Sequence, residues 1–226
     1  MRATRVIAAA LAAGAALTLT ACGGDSGGSD TIDGGAPGSS PTATVTVSPS
    51  TTAPPTAPPV TADPRLALPN DLKLVFDWPV PADHAEAAAL GNAANYLRSI
   101  AHGIVARKAD DPLVGQYAQP GSGAMTYART QIQRAVDGGW TQTGTDRYYR
   151  PTVRLGSAKN GATVGFCDFQ GKAYGKDVRT GKLLSTAVTD NSYLYFTIVM
   201  ARFPTGADLW QAVSVDVKAK ATQCKE

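Results

Sequence analysis

The sequence contains few of the residues on which most catalytic and metal sites depend. It has two histidines, His84 and His102, and three cysteines among 226 residues, and none of them stands at a spacing typical of a zinc site. The sequence also lacks a phosphate-binding loop, a dinucleotide-binding fingerprint and a nucleophile elbow. These absences argue against metal-dependent, nucleotide-dependent and serine-hydrolase chemistry, and we expect no cofactor.

A strong excess of charge of either sign is also missing. The chain has 21 basic and 18 acidic residues, and loss of Arg2 and Arg5 with a signal peptide would bring the two totals almost level. A nucleic-acid-binding protein should carry a clear basic excess. We therefore expect no nucleic-acid partner.

The apolar run near the start of the chain is too short to cross a membrane comfortably. Residues 6–21 are uncharged and mostly apolar, whereas a membrane-spanning helix needs about 20 apolar residues. Arg2 and Arg5 precede this run, and small residues end it. A basic head, a run of this length and a small-residue end are typical of a secretory signal.

The last four residues of this region, Leu19-Thr20-Ala21-Cys22, resemble the lipobox of bacterial lipoproteins. In those proteins the cysteine thiol receives diacylglycerol and becomes the mature N-terminus. The resemblance implies that residues 1–21 are a signal peptide and that Cys22 anchors the protein at the outer face of the cell membrane. Two acyl chains on one residue suffice for stable anchoring, which one chain does not provide. The alternative is an ordinary cleaved signal that a cysteine happens to follow.

Residues 22–70 have the composition of a linker. After Cys22 this segment consists almost entirely of Gly, Ser, Thr, Pro, Ala and Asp, and it contains no aromatic residue. Such a segment cannot bury enough apolar area to offset its chain entropy, so we predict that it is disordered. Its simplest role is to hold a folded domain away from the membrane. The Thr/Pro tract at residues 41–59 also resembles O-glycosylated stalks.

The cysteine count favours one disulfide. When Cys22 carries lipid, Cys167 and Cys224 remain as an even pair in an oxidising compartment. They are 57 positions apart, and a loop of this length contributes about 4 kcal/mol in the chain-entropy description. The alternative is two free thiols.

Residues 71–226 form the predicted folded domain, because every aromatic residue of the chain lies there. Asp83 and Ser122 stand where caps of two amphipathic helices are expected. After Trp140 the pattern changes to strands, at residues 147–155, 162–169, 193–203 and 210–222. Helices followed by antiparallel strands predict an α+β domain, with the helices packed on one sheet.

This order of elements resembles the nuclear transport factor 2-like fold, in which a curved sheet wraps an N-terminal helix to form a cone. It is also similar to small secreted lipoproteins of high-GC Gram-positive bacteria. Three short motifs carry that second resemblance: Phe166-Cys167-Asp168, Leu209-Trp210-Gln211 and Gln223-Cys224. Together the resemblances span residues 83–224 and imply a single cone-shaped domain.

The resemblance also implies where a site would lie. Enzymes of this fold, such as the ketosteroid isomerase branch, place an acid/base carboxylate and tyrosines inside the cone, and the candidates here are Asp168, Tyr149 and Tyr195. The alternative is that Asp168 pairs with a backbone group or an arginine and that the tyrosines are core residues. We expect a non-enzymatic module that binds a protein, a wall polymer or a small ligand. An isomerase or cyclase using the cone carboxylate is the second hypothesis, and a component of an export or division assembly is a third.

Basic residues are concentrated in the first half of the predicted sheet. Residues 147–182 contain eight basic side chains against two aspartates, whereas residues 71–146 contain more acidic than basic ones. This distribution predicts a basic face that would attract anionic wall polymers, lipid headgroups or acidic substrates. The alternative is an ordinary solvated strand surface. The residues of this predicted face are Arg147, Arg150, Arg154, Lys172, Lys176, Arg179 and Lys182, with Lys159 in the intervening turn.

Overall fold

The structure is a computed structural model that describes residues 61–204 and 208–226. The predicted signal peptide, Cys22 and residues 23–60 of the predicted linker lie outside the described residues. The helices and strands follow in the order β1 (Leu72–Asp77), α1 (His84–Ala106), α2 (Pro112–Tyr117), α3 (Gly123–Asp137), β2 (Trp140–Leu155), β3 (Gly161–Asp177), β4 (Leu183–Leu184), β5 (Tyr193–Arg202) and β6 (Trp210–Ala219).

Helix α1 begins at the predicted cap. The Asp83 carboxylate accepts hydrogen bonds from the backbone N–H groups of Ala85 and Glu86, at 2.8 and 3.1 Å, and so satisfies two donors of the first turn. The helix ends at Ala106, where Arg107 turns into the left-handed region with φ of 55°.

The next two helices also begin at side-chain caps. Asp111 accepts from the backbone N–H of Leu113 at 2.9 Å and begins α2, with Pro112 at the first helical position, where a missing N–H costs nothing. Ser122 accepts from the backbone N–H of Met125 at 3.2 Å and begins α3 as predicted. Local capping chemistry therefore sets the start of all three helices.

The strands form one sheet in the order β1-β2-β3-β5-β6, with the short β4 paired to β3. β1 runs parallel to β2, and the remaining neighbours are antiparallel. The four strands that we predicted are present, and β2 and β3 are longer than predicted. β1 was not predicted.

The helices cover one face of the sheet, which we call the inner face. α1 contacts all four long strands, and α3 packs on β2 and β6. Alternate residues of the central strands supply fully buried apolar side chains to this face, namely Val164, Phe166, Ile198 and Met200. The predicted α+β class, helices packed on one sheet, is confirmed. Bulges in β2–β3 and β5–β6 interrupt the regular register, and bulges bend strands and increase their twist.

The folded domain begins earlier than residue 71, where we placed its boundary. The Asp63 carboxylate accepts a hydrogen bond from the Tyr117 hydroxyl at 2.7 Å and pairs with Arg65 at 2.6 Å. Leu66 is 3% exposed and belongs to the main core. We missed this segment because its composition continues that of the linker, and one buried leucine produces no periodic signal.

The predicted disulfide is present, and it acts on the other face of the sheet, the outer face. Cys167 on β3 is bonded to Cys224, with a Cα–Cα distance of 5.4 Å. The bridge holds the C-terminal segment against the sheet, where Ala221 and Cys224 are buried together with Tyr149. This small second cluster covers part of the outer face.

Candidate functional site

Two buried aspartates lie on the inner face of the sheet. Asp146 on β2 is 3% exposed, and Asp168 on β3 is fully buried. Asp168 is directly opposite Tyr148, and a bulge in β3 places Gln170 and Gly171 opposite the single residue Asp146. Side chains that alternate along a strand share a face, so the two carboxyl groups, Tyr148 and Gln170 come together.

The two aspartates form a buried carboxyl pair. The Tyr148 hydroxyl donates to Asp146 Oδ2 at 3.0 Å, and the Gln170 amide donates to Asp168 Oδ2 at 2.8 Å. The other oxygen of each carboxyl group, Oδ1, is buried and has no hydrogen-bond donor among the described residues. The two groups nevertheless lie close enough for each to shift the pKa of the other.

Burial favours the protonated form of the two carboxyl groups. Desolvation raises the pKa of both carboxyl groups, because the ionised form loses its hydration. The neighbouring charge of Asp146 raises the pKa of Asp168 further, well above its usual range. No basic side chain among the described residues contributes to the pKa of either aspartate. The charge that the pair carries when one proton has left is therefore not compensated within the described part of the chain.

A cavity of about 210 Å³ adjoins this pair, between α1, α3 and the sheet. Asp146, Tyr148 and Gln170 lie on its sheet side, while Asp168 lies behind them. Gln142 contributes a buried Oε1 that has no hydrogen-bond partner among the described residues. The remaining lining is largely apolar and aromatic: Leu74, Leu97, Ile100, Ala101, Ile104, Tyr127, Gln131, Trp140 and Phe196.

Comparison with known proteins adds a distant structural likeness. No family model and no curated protein matches the chain. A solved structure described as a candidate ketosteroid isomerase from Shewanella frigidimarina is similar to 59% of this chain and covers 97% of its own, with 14% identity and a TM-score of 0.33. Since this likeness is weak, the fold assignment rests on the strand order and helix packing given above.

The structure separates the three predicted pocket residues. Asp168 faces the interior, as we predicted, but Tyr149 and Tyr195 lie on the outer face, both paired with Cys167 across the sheet. The grouping was wrong because Cys167 precedes Asp168 directly, and neighbouring strand residues point to opposite faces. The Tyr149 hydroxyl donates to the backbone carbonyl of Cys224 instead.

The residues that do accompany Asp168 were missed. Asp146 and Tyr148 alternate along β2, which places both on one face, and this spacing was the available signal. The sequence did not show that this face is the inner one. Gln170 could not be assigned either, because its position depends on the bulge in β3.

The predicted basic face is partly neutralised. Arg147 pairs with Asp77 and Glu226, both at 2.8 Å, and Lys176 pairs with Asp71 at 2.5 Å. Arg150 donates to the backbone carbonyl of Gln223 at 2.8 Å. The four other predicted residues are exposed: Arg154, Lys172, Arg179 and Lys182. Arg147, Arg150 and Lys176 therefore bind the C-terminal segment and the β1 side of the sheet. The other four charges are solvated.

Three further observations bear on other classes of site. Among the described residues no group of three or more His, Cys, Asp or Glu side chains could hold a metal ion. His102 Nδ1 lies 2.7 Å from Asp111 Oδ2, which ties α1 to the start of α2. Within residues 61–204 and 208–226, no helix is long and apolar enough to cross a membrane.

Proposed function

We propose that this protein is a lipid-anchored binding protein of the cell envelope whose domain holds a small ligand in the cavity beside Asp146. The lipobox-like residues 19–22 and the basic, apolar segment before them support an anchor at Cys22 and a place at the outer face of the membrane. Residues 23–60 would then give the domain reach toward its ligand. The nuclear transport factor 2-like resemblance supports a cone with an internal site.

The lining of the cavity indicates the chemistry of the ligand. Gln142 Oε1 needs a hydrogen-bond donor, and the carboxyl pair has no basic partner among the described residues. A buried acceptor without a donor costs about 1–3 kcal/mol, and an unpaired buried charge costs more. A ligand that donates hydrogen bonds would remove these costs, and an amine would also balance the charge. The observation that carries the proposal is that Gln142, with its unpaired acceptor, and Asp146 of the acidic pair line the same cavity.

The size and the walls of the cavity restrict the ligand further. Sites for drug-sized ligands usually have volumes of about 300–1,000 Å³, whereas this cavity measures about 210 Å³. Leu97, Ile100 and Ile104 give it one apolar wall. We therefore infer a small amine with a compact hydrocarbon body.

One observation favours an enzymatic function as the second candidate. A carboxyl group with a raised pKa on a cavity wall can take or give a proton near neutral pH, and Asp146 has this position. The Tyr148 hydroxyl donates to Asp146 Oδ2. This hydrogen bond would stabilise the carboxylate that remains after Asp146 releases its proton. The reaction would be proton abstraction next to a carbonyl, as in an isomerase or cyclase.

Calorimetric titration with cyclohexylammonium tests the binding proposal, with cyclohexanol as the probe of the same body without charge. We expect the amine to bind more tightly than the alcohol, and we expect Asp146→Asn to weaken amine binding by tenfold or more, the range for losing a hydrogen bond to a charged group. Asp216→Asn, an exposed position on β6, is the matched control and should bind normally. Equal affinity for both probes, or unchanged binding in Asp146→Asn, would contradict the proposal.

A second measurement addresses catalysis. Exchange of the α-protons of cyclohexanone in D₂O, followed by NMR, reports proton abstraction directly. Acceleration by the unaltered protein that Asp146→Asn abolishes and Asp216→Asn retains would establish the enzymatic candidate. Exchange at the buffer rate would leave the binding function.

A further inference from the structure

A second cavity, of about 190 Å³, lies at the N-terminal half of α1, and it shares no lining residue with the first. One wall is the segment that joins β1 to α1, and the other is a helix face of small residues. The lining residues are Phe76, Trp78, Pro79, Val80, Pro81, Ala87, Leu90, Gly91, Ala94 and Arg98. The side chains that line it are thus apolar or aromatic except for Arg98, which is the charged residue among them.

Arg98 has no counterion in the described part of the chain. Its guanidinium lies 4.3 Å from the centre of the Phe76 ring, and one of its nitrogens, Nη1, donates to Asn95 Oδ1 at 2.9 Å. Burial lowers the pKa of Arg98, because the surrounding protein does not replace the hydration that the charged guanidinium loses. By contrast, Arg147 pairs with two carboxylates although it lies in a more solvated place.

A second unused donor belongs to the other wall, the segment that joins β1 to α1. The indole N–H of Trp78 is buried and has no acceptor among the described residues. Indole nitrogen can only donate, and a guanidinium carries five N–H groups and no acceptor. The side chains around the cavity therefore supply hydrogen-bond donors and a positive charge, and the others are apolar.

We propose that this second cavity binds an anionic amphiphile, with a carboxylate at Arg98 and Trp78 and a hydrocarbon body along Pro79, Val80 and Leu90. A carboxylate accepts hydrogen bonds only, and it fits the guanidinium fork with two parallel bonds. Each buried CH₂ of the body adds to the affinity through the hydrophobic effect. At about 190 Å³, the site fits a short or medium alkyl chain, so a medium-chain carboxylic acid is the expected ligand class.

Calorimetric titration with octanoate tests this site. The full chain carrying Cys22→Ala is used, because it removes the acyl acceptor and hence the need for detergent. 1-Octanol has the same body without charge, and octylammonium has the opposite charge. We expect octanoate to bind at least tenfold more tightly than either control probe, because both lack the ion pair; the octanol hydroxyl can accept only without charge, and octylammonium cannot accept at all.

Four variants locate the binding. Arg98→Gln should weaken octanoate binding tenfold or more, and Trp78→Phe, which removes the N–H and keeps the ring, should weaken it severalfold. Arg129→Gln, an exposed position on α3, should have no effect, and Asp146→Asn in the first cavity should have none either. Trp78→Phe keeps the test decisive if Arg98→Gln reduces folding. Absence of octanoate binding at millimolar concentration, equal binding of octanol, or full binding by both Trp78→Phe and a folded Arg98→Gln overturns the proposal.

Discussion

Asp168→Asn should make the domain more stable at neutral pH, and the gain should grow with pH. The asparagine amide can donate to a neighbouring carboxylate oxygen, as a protonated carboxyl group would, and its carbonyl can accept the bond from Gln170. The substitution therefore keeps the shape of the pair and the bond from Gln170. What it removes is the proton that the folded protein has to retain.

The sign follows from the pKa of Asp168, which the fold raises. In the unfolded chain an aspartate has a pKa of about 3.9, so above that pH the unfolded chain has released a proton that the folded protein still binds. The free energy of unfolding then falls as the pH rises from the unfolded pKa to the folded pKa. Above the folded pKa this group causes no further fall. Asparagine binds no proton, so it contributes no such slope.

The magnitude is set by one proton. While the pH lies between the unfolded and the folded pKa, one retained proton changes the unfolding free energy by about 1.4 kcal/mol per pH unit. The difference between Asp168→Asn and the unaltered protein should therefore increase by up to about 3 kcal/mol between pH 5 and pH 7. Aspartates whose pKa the fold lowers, such as Asp71 and Asp83, are ionised throughout this range and do not contribute.

Urea denaturation at pH 5, 6, 7 and 8 measures this difference, with linear extrapolation to water. Taking the variant against the unaltered protein at each pH removes the contributions of the groups that both chains share. Asp216→Asn on the exposed side of β6 is the control and should give a constant difference. A difference for Asp168→Asn that does not depend on pH, or that decreases as pH rises, would refute the argument, because it would mean that Asp168 is ionised and stabilised in the fold.

Three other expectations concern the anchor, the bridge and the domain boundary. Cys22→Ala should move the protein from the membrane fraction to the soluble fraction, and retention in the membrane fraction would defeat the lipobox assignment. Cys224→Ser should lower the unfolding free energy by about 4 kcal/mol in urea titrations without reductant, and two alkylatable thiols at Cys167 and Cys224 in unreduced protein would exclude the bridge. Leu66→Ala should cost about 2–5 kcal/mol if the segment before residue 71 is part of the core; an unchanged denaturation midpoint would return it to the linker.

Features of the fold that depend on nearby residues could be predicted. Asp83 and Ser122 bind donors two or three residues ahead, so the sequence contains everything that their caps require. Pro151 has no N–H to donate to a neighbouring strand, and the register of β2 and β3 shifts between Tyr149 and Thr152. β1 escaped notice because it is six residues long and its parallel partner, β2, lies about seventy residues further along.

The site depended on relations between strands, which the sequence does not display. Asp146 stands between Thr145 and Arg147, in a stretch that is typical of a solvated strand face. Its burial follows from the helices that cover this face and from the bulge opposite it in β3. Arg98 is a similar case, since a helical arginine is usually solvated and only the packing of Phe76 and Trp78 removes it from water.

The bridge between Cys167 and Cys224 also affects how this chain can be threaded through a pore. It closes a loop of 57 positions that contains β5 and β6 in full. Unfolding does not turn this part of the chain into a single line, because the loop stays closed until the bond is reduced. A translocase or a processive protease that accepts one strand at a time would therefore stop at the bridge, whereas the same chain passes freely before the bond forms. Passage of the unfolded chain through such a pore therefore has to precede oxidation of this pair, and degradation that pulls from the C-terminus would meet the bridge within the last three residues.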